Sequence, residues 1–298
     1  MRIWISIPLQ LLELYDNNEA VIRRYAVSTA RNGVGEVSGS YQTPRGRHII
    51  RAKIGAGMPE NTVFVRRRPT GESWTPELGA ANPERDWILT RILWLSGMEP
   101  GFNRLGEVDT MRRYIYLHGT PDVTDVGCPG SIGCVRMRNR DIVELFDLVP
   151  AYTPVDIVEY GIREGDWPAL GPAAGMIREA VFVVEQGVPL EMEYDECDSG
   201  SLHVIAFGPA GETIGTGRLL PDGHVGRLAV LRDWRGRGVG RALMCRLMDA
   251  ARRRGMTDLA LHAQVSVAGF YERLGFVARG EEFMEVGIPH VLMTRSLS

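Results

Sequence analysis

Cys134, in the turn Ser131-Ile132-Gly133-Cys134, and His118, after the apolar run Tyr114-Ile115-Tyr116-Leu117, are the residue types that a thiol nucleophile and its base require. A free thiol is only a few per cent ionised at neutral pH, so an imidazole must take its proton and later return it to a leaving amine. Gly133 permits a tight turn in which the N–H groups of Gly133 and Cys134 point toward a developing oxyanion. An isolated cysteine is otherwise a small buried hydrophobe and an isolated histidine a satisfied core residue, so the pair needs a wider pattern behind it.

The flanking elements must bring the two together. Residues 114–117 read as a strand that delivers His118 at its exit, and a loop of Gly, Pro, Asp and Thr follows. Residues 139–149 place Ile142, Leu145, Phe146 and Leu148 at helical spacing behind capping residues, so a helix is expected beneath the cysteine turn. Upstream, residues 3–14, 21–28 and 48–54 read as paired strands, 16–19 as a hairpin turn, 63–65 as a short strand and 154–160 as a closing strand. Residues 86–95 are apolar at mixed spacing and fit a strand or a helix. The sum is a mostly β domain with one late helix over residues 1–160. A Gly/Pro-rich stretch, 164–168 with Gly171-Pro172, reads as the linker to a second domain, 161–298.

The pattern His118-Gly119-Thr120, Ser131-Ile132-Gly133-Cys134 and Val135-Arg136-Met137 with Asn139 resembles the L,D-transpeptidase (YkuD-type) family. So does the upstream Thr43-Pro44-Arg45-Gly46 followed by His48-Ile49-Ile50. The resemblance covers about residues 1–160. It implies Cys134 as nucleophile, His118 as base, an oxyanion donor at Gly133, and substrate contacts from Gly119, Thr120, Ser131 and Arg136, the last as a fork for a carboxylate. Ile132 stands where the family usually has a second histidine, which leaves His118 as the only imidazole base.

At 298 residues the chain is comfortable for two domains, and 44% hydrophobic with 24% charged residues supplies two cores. A net charge of −3 without a long basic run points away from nucleic acid and acidic membrane surfaces. Cys128, Cys134, Cys197 and Cys245 are too few and too irregular for a disulfide framework or a zinc site, and no metal is expected. The first fifteen residues are apolar but are broken by Pro8 and Gln10, end at Glu13 and lack a small-x-small cleavage site. No stretch reaches the roughly 18 apolar residues of a membrane span. A cytoplasmic protein is the expectation, although most members of the resembled family work on the wall outside.

Beyond the linker, helix and strand alternate. Residues 174–185 read as a helix, 203–208, 213–219 and 224–231 as strands, and Arg235-Gly236-Arg237-Gly238-Val239-Gly240 opens a helix to about Arg254 with Val239, Leu243, Leu247 and Ala250 on one face. A strand, a glycine turn and a helix N-terminus make a ready anion site. No Lys-Ser/Thr follows the glycines, and the helix comes late in its domain, which argues against a P-loop and a dinucleotide fold. Arg235, Gly238 and Gly240, with 226–230 before them and Phe270-Tyr271-Glu272-Arg273-Leu274-Gly275-Phe276 after them, resemble the GNAT acetyltransferases. Residues 183–186, His262-Ala263-Gln264 and 287–290 resemble the ElaA-type branch. This resemblance spans roughly residues 162–293 and implies an α/β acyl-CoA N-acyltransferase fold. It also implies acetyl-CoA with its pyrophosphate on Arg235, Gly236, Arg237, Gly238, Val239, Gly240 and Arg241, its pantetheine along Leu228, Ala229 and Val230, and Gln264 in contact. Tyr271 is implied as the acid at the CoA sulfur. Glu185, Glu285 and His290 are open candidates for the base that deprotonates an amine acceptor.

Taken together, the resemblances imply a cytoplasmic enzyme in which Cys134 attacks an L,D-peptide bond of a murein stem peptide, releases D-alanine and passes the acyl group to water, a carboxypeptidase outcome suited to muropeptide recycling. An exported wall cross-linking transpeptidase, and a small-amine acetyltransferase with a non-catalytic peptide-binding first domain, are the alternatives.

Overall fold

The computed structural model describes residues 1–297. The chain forms two compact units, Met1–Asn17 with Val21–Glu159, and Asn18–Ala20 with Tyr160 onward.

The first unit holds β1 (Arg2–Ser6), β2 (Leu11–Tyr15), β3 (Val21–Ala26), β4 (Gly46–Ile54), β5 (Thr62–Val65), β6 (Arg68–Ser73), α1 (Pro76–Ala81), β7 (Ile88–Gly97), β8 (Tyr116–Thr120), β9 (Val135–Arg138), α2 (Asn139–Leu148) and β10 (Pro154–Val158). The strands form one sheet in the order β3-β2-β1-β10-β4-β7-β5-β6, with β8 beside β7 and β9 beside β8. The β8–β9 pair is parallel, which requires a crossover, and residues 121–134 provide it. Ile142, Leu145, Phe146 and Val149 lie on one face of α2 and its end, and pack with Leu93, Leu117, Val135 and Met137. Lys53 Nζ donates to the Phe146 and Val149 carbonyls at 2.6 and 2.7 Å, which satisfies the end of that helix.

Two expectations change here and one open reading is resolved. Residues 3–14 are a hairpin rather than one strand: Gln10 adopts φ +47, and its amide holds the turn through Ile7 O at 2.6 Å and Thr29 N–H at 2.8 Å. Residues 86–95 contribute to strand β7, which is hydrogen-bonded to β4, β5 and β8 and buried along most of its length. His118 lies in the middle of β8, not at its exit.

The second unit holds β11 (Gly161–Gly165), α3 (Trp167–Arg178), a π-helical turn Glu179–Glu185, α4 (Leu190–Glu193), β12 (Leu202–Phe207), β13 (Thr213–Leu219), β14 (Val225–Val230), α5 (Val239–Arg253), β15 (Asp258–Gln264), α6 (Ala268–Glu272), β16 (Val277–Glu285) and β17 (Ile288–Ser296). The strands form two antiparallel sheets, β11-β12-β13-β14 and β15-β17-β16. They meet at the parallel bridge His224↔Ala260, beyond which β14 and β15 share no ladder. Gly215 and Gly217 on β13 make room for Leu243 and Leu247 of α5, which approach within 3.1 Å of where a Cβ would stand. The expected linker is part of this fold. Residues 164–165 finish β11, and Asp166 caps α3 by accepting the Ala169 N–H at 3.0 Å, with Pro168 in the first turn where its missing N–H costs nothing. Among the described residues no helix is long and apolar enough to cross a membrane.

Candidate active sites

The register of β8 with β9 pairs Leu117 with Val135 and His118 with Arg136, so Cys134 enters β9 beside the start of β8. Its Sγ accepts the Tyr116 N–H at 3.4 Å and its S–H donates to the Tyr114 carbonyl at 3.5 Å. Burial pushes this thiol up to about 12, against a smaller opposing effect of the Tyr116 N–H. His118 is fully buried. Its Nδ1 lies 2.8 Å from the Gly119 carbonyl, which can only accept, so Nδ1 carries the hydrogen and Nε2 the lone pair. That Nε2 has no hydrogen-bond partner. Burial lowers the ring below the ordinary histidine value and keeps it neutral. Asp86 and Arg136, paired at 2.6 Å, act on both groups: the carboxylate raises the pKa of ring and thiol, and the guanidinium lowers both. The histidine and the cysteine thus share the field of one ion pair.

The cysteine turn is braced from within. Gly133 has φ +136, and a Cβ there would stand 3.1 Å from Ile115. Its N–H donates to Ser131 Oγ at 3.2 Å, the Ser131 hydroxyl donates to the Cys134 carbonyl at 2.5 Å, and Thr43 Oγ1 donates to the Gly133 carbonyl at 3.0 Å. Thr43 in turn accepts the Ala30 N–H at 2.9 Å.

Several residues expected at the substrate also make contacts within the fold. Ser131 is consumed by the turn, and the Gly133 N–H expected for an oxyanion is bonded to it. A Cβ at Gly119 would meet Asn139 Oδ1 at 2.4 Å, so this glycine allows close packing. The Thr120 hydroxyl donates to Thr124 at 3.3 Å. Arg136 is committed to Asp86 and to the Gly130 carbonyl at 3.1 Å, because a partly buried guanidinium must be paired. Ile132 is 41% exposed. Residues that the sequence did not assign also converge here. Arg113 lies within electrostatic reach of the Cys134 sulfur and donates to the Gly35, Glu36 and Gln42 carbonyls. Arg67 lies over the Trp94 and Tyr114 rings at 4.4 and 4.7 Å and donates to the Tyr116 hydroxyl at 3.3 Å.

In the second unit Gly236 and Gly238 take φ +75 and +83, and α5 starts at Val239 without a side-chain cap, so its first-turn N–H groups, including those of Gly240 and Arg241, are left for a ligand. No atom lies within 4 Å of where a Cβ would stand at Gly236. Arg235 is tied back: Nε donates to Val230 O at 2.9 Å, and both Nη groups grip Glu185 at 2.7 and 2.8 Å. Glu185 is held below the usual carboxylate range by that arginine and is not placed as a base. Arg237 stacks on Trp234 at 5.0 Å. Beyond the His224 bridge β14 pairs only with β13, and its other edge carries no strand, while Ala229 packs with Ile177 and Val181. Gln264 donates to Gln186 at 3.0 Å. Tyr271 packs against Phe270 and Phe276, and burial pushes its phenol up to about 12. His290 is buried with Nδ1 2.9 Å from Ile288 O. Among the described residues no His, Cys, Asp and Glu cluster can hold a metal ion.

Comparison with known proteins follows the same division. Residues 1–157 match the YkuD L,D-transpeptidase catalytic domain, and residues 150–297 the acetyltransferase (GNAT) domain. An acetyltransferase-like protein of Bacillus subtilis is 41% identical over 125 residues, which cover 40% of this chain and 84% of that relative. Among solved structures, an acyl-CoA N-acyltransferase of Pseudomonas aeruginosa is 33% identical over 46% of this chain and 99% of its own, with a TM-score of 0.42. Escherichia coli ElaA is 28% identical over 45% and 99%, also at 0.42. The chain therefore belongs to the L,D-transpeptidase catalytic-domain family through residues 1–157 and to the GNAT acetyltransferases through residues 150–297.

Proposed function

We propose that the amino-terminal unit is a cysteine L,D-carboxypeptidase that trims the tetrapeptide of cytoplasmic murein fragments to tripeptide, and that the carboxy-terminal unit acetylates an amine. The observation that carries the first reading is the buried, neutral His118 with an unpartnered Nε2 in the same electrostatic environment as the Cys134 thiol. Once the thiol turns from Tyr114 O toward the ring, Nε2 takes its proton and the sulfur adds to the carbonyl on the L side of the L,D bond. The C–N bond breaks, its electron pair stays on nitrogen, and the amine of D-alanine takes the proton from Nε2. Water then gives a proton to Nε2 and displaces the sulfur, which is reprotonated. Water is favoured as acceptor because acetyl-CoA, the substrate of the second family, is an intracellular metabolite, and inside the cell only precursors and recycled fragments are in reach.

The open N-terminus of α5 with Gly236 and Gly238 fits a CoA pyrophosphate, and the β14 edge fits the amides of pantetheine. Acetyl-CoA supplies the thioester. The chain's own part is to hold it there and to offer a proton from Tyr271 at the sulfur. The full-length protein incubated with free murein tetrapeptide is expected to release D-alanine, and Cys134→Ala to release none. No release by wild type, or equal release by the variant, refutes the first reading. Calorimetric titration with acetyl-CoA tests the second.

A further inference from the structure

His262 is exposed on β15, and no role attaches to it in the reading above. Along that strand Leu259, Leu261 and Ala263 point into the core, so Ala260, His262 and Gln264 share the other face. Ala260 bridges to His224, the residue just before β14, and Gln264 is the residue expected at CoA. His262 stands midway between them, roughly 7 Å along the strand from each. It therefore lies on the exposed face of β15, past the point where β14 and β15 cease to pair.

The neighbouring strands orient this ring. Phe283 pairs with His290 across β16 and β17, and His290 pairs with Gln264 across β17 and β15, so all three lie on the face of His262. The His262 ring sits edge to face with His224 at 5.0 Å and with Phe283 at 4.8 Å. Glu285, two residues after Phe283 on the same face of β16, places Oε2 3.2 Å from His262 Nδ1. A carboxylate only accepts, so the neutral ring carries its hydrogen on Nδ1 and turns the Nε2 lone pair outward. The side chains of His262 and Glu285 are 43% and 44% exposed, open to an incoming molecule, whereas His290 is buried and Glu185 is bound by Arg235.

Resting on the acetyltransferase reading, we propose that His262 is the general base of the amine site, oriented by Glu285, and that the His224, His262 and Phe283 rings receive a primary amine carried on an apolar or aromatic skeleton. An ammonium group is attracted to such ring faces. His262 Nε2 takes one proton from the ammonium. The freed lone pair forms the C–N bond to the acetyl carbonyl, the C–S bond breaks with its electron pair on sulfur, and the second nitrogen proton reaches that sulfur by way of Tyr271. His262 touches the reacting nitrogen, and Glu285 is a positioning residue.

The test uses the full-length chain, acetyl-CoA, 2-phenylethylamine, tryptamine and ethanolamine as probes, and the variants His262→Gln and Glu285→Gln. Acetylation of the aromatic amines by wild type is expected, with kcat reduced about 100-fold or more in His262→Gln. Acetyl-CoA affinity measured by calorimetry stays unchanged in both variants. Imidazole nitrogen NMR, which does not depend on turnover, is expected to show the Nδ1–H tautomer of His262 in wild type and its loss in Glu285→Gln. Undiminished acetylation by His262→Gln, or an Nε2–H tautomer in wild type, overturns the proposal. A wild type that binds acetyl-CoA but acetylates none of the three amines overturns the assignment of this face as the amine site. Absence of acetyl-CoA binding overturns the acetyltransferase reading itself.

Discussion

The resting thiol of Cys134 should be unusually slow to alkylate, and by an amount that its surroundings set. Enclosed beneath the turn, hydrogen-bonded to Tyr114 O and Tyr116 N–H, it is pushed up to about 12. At pH 7 such a thiol is ionised to about 1 part in 10⁵, against about 3% for a free thiol near 8.5, so its thiolate is about 3,000-fold scarcer. Alkylation runs through the thiolate, and the exposed Cys128 and Cys197 on the same chain serve as internal references. The full-length protein is treated with iodoacetamide in pulses between pH 7 and 10, quenched, digested, and the labelled fraction of each cysteine peptide is measured by mass spectrometry. The Cys134 rate is expected to lie about three orders of magnitude below that of Cys128 at pH 7. It should rise about tenfold per pH unit through pH 10. A Cys134 rate within tenfold of Cys128 at pH 7, or a plateau below pH 9, would refute the neutral-pair mechanism. It would show a preformed thiolate–imidazolium pair, and His118 would then act as an acid first.

Two further outcomes follow from buried polar contacts. Thr43→Val removes the hydroxyl that holds the Gly133 carbonyl and leaves the Ala30 N–H without its acceptor, so the urea transition of the amino-terminal unit should lose about 2–4 kcal/mol. D-alanine release should fall with it, because the turn that presents Cys134 is loosened. Arg178→Met removes one of two guanidinium partners from each of two buried carboxylates, Glu193 at 2.5 Å and Asp198 at 2.8 Å, leaving them Arg227 at 3.3 Å and Arg218 at 2.7 Å, and should cost the carboxy-terminal unit about 2–4 kcal/mol in the same measurement.

How far the fold could be read from the chain depended on whether a signal was local. Helix α2 declared itself through Ile142, Leu145 and Phe146 at helical spacing, and α5 through Val239, Leu243 and Leu247, because one face of each is buried and the other is wet. Strand β7 did not, since a strand hydrogen-bonded on both edges and buried on both faces shows no alternation. The start of α3 was read as a linker because Trp167-Pro168 and Gly171-Pro172 are breakers by type. In the structure Pro168 occupies a first-turn position and Gly171 lets the Trp167 ring pack to 2.8 Å from where its Cβ would be.

The sites followed the same rule with a sharper consequence. Cys134, His118 and the Gly236–Gly238 turn are legible because their chemistry belongs to the residue type itself. Asp86 is not, since its meaning comes only from Arg136, fifty positions later in the chain and 2.6 Å away in the fold. The arginine expected to grip a substrate carboxylate is thereby already neutralised, and a carboxylate replacing Asp86 at that guanidinium would leave the aspartate partly buried without its cation. On the carboxypeptidase reading proposed above, the stem-peptide carboxylate is assigned to a cation whose contacts are rings rather than carboxylates. Arg67, lying over Trp94 and Tyr114 at the rim, meets that condition among the residues around Cys134, while Arg113 is spent on three backbone carbonyls. The hairpin of β5 and β6 that carries Arg67 reads in the sequence as a Gly- and Arg-rich connection around one short strand. Only its fold against β7 brings that arginine over Trp94 and to the hydroxyl of Tyr116, the residue whose N–H the Cys134 sulfur accepts.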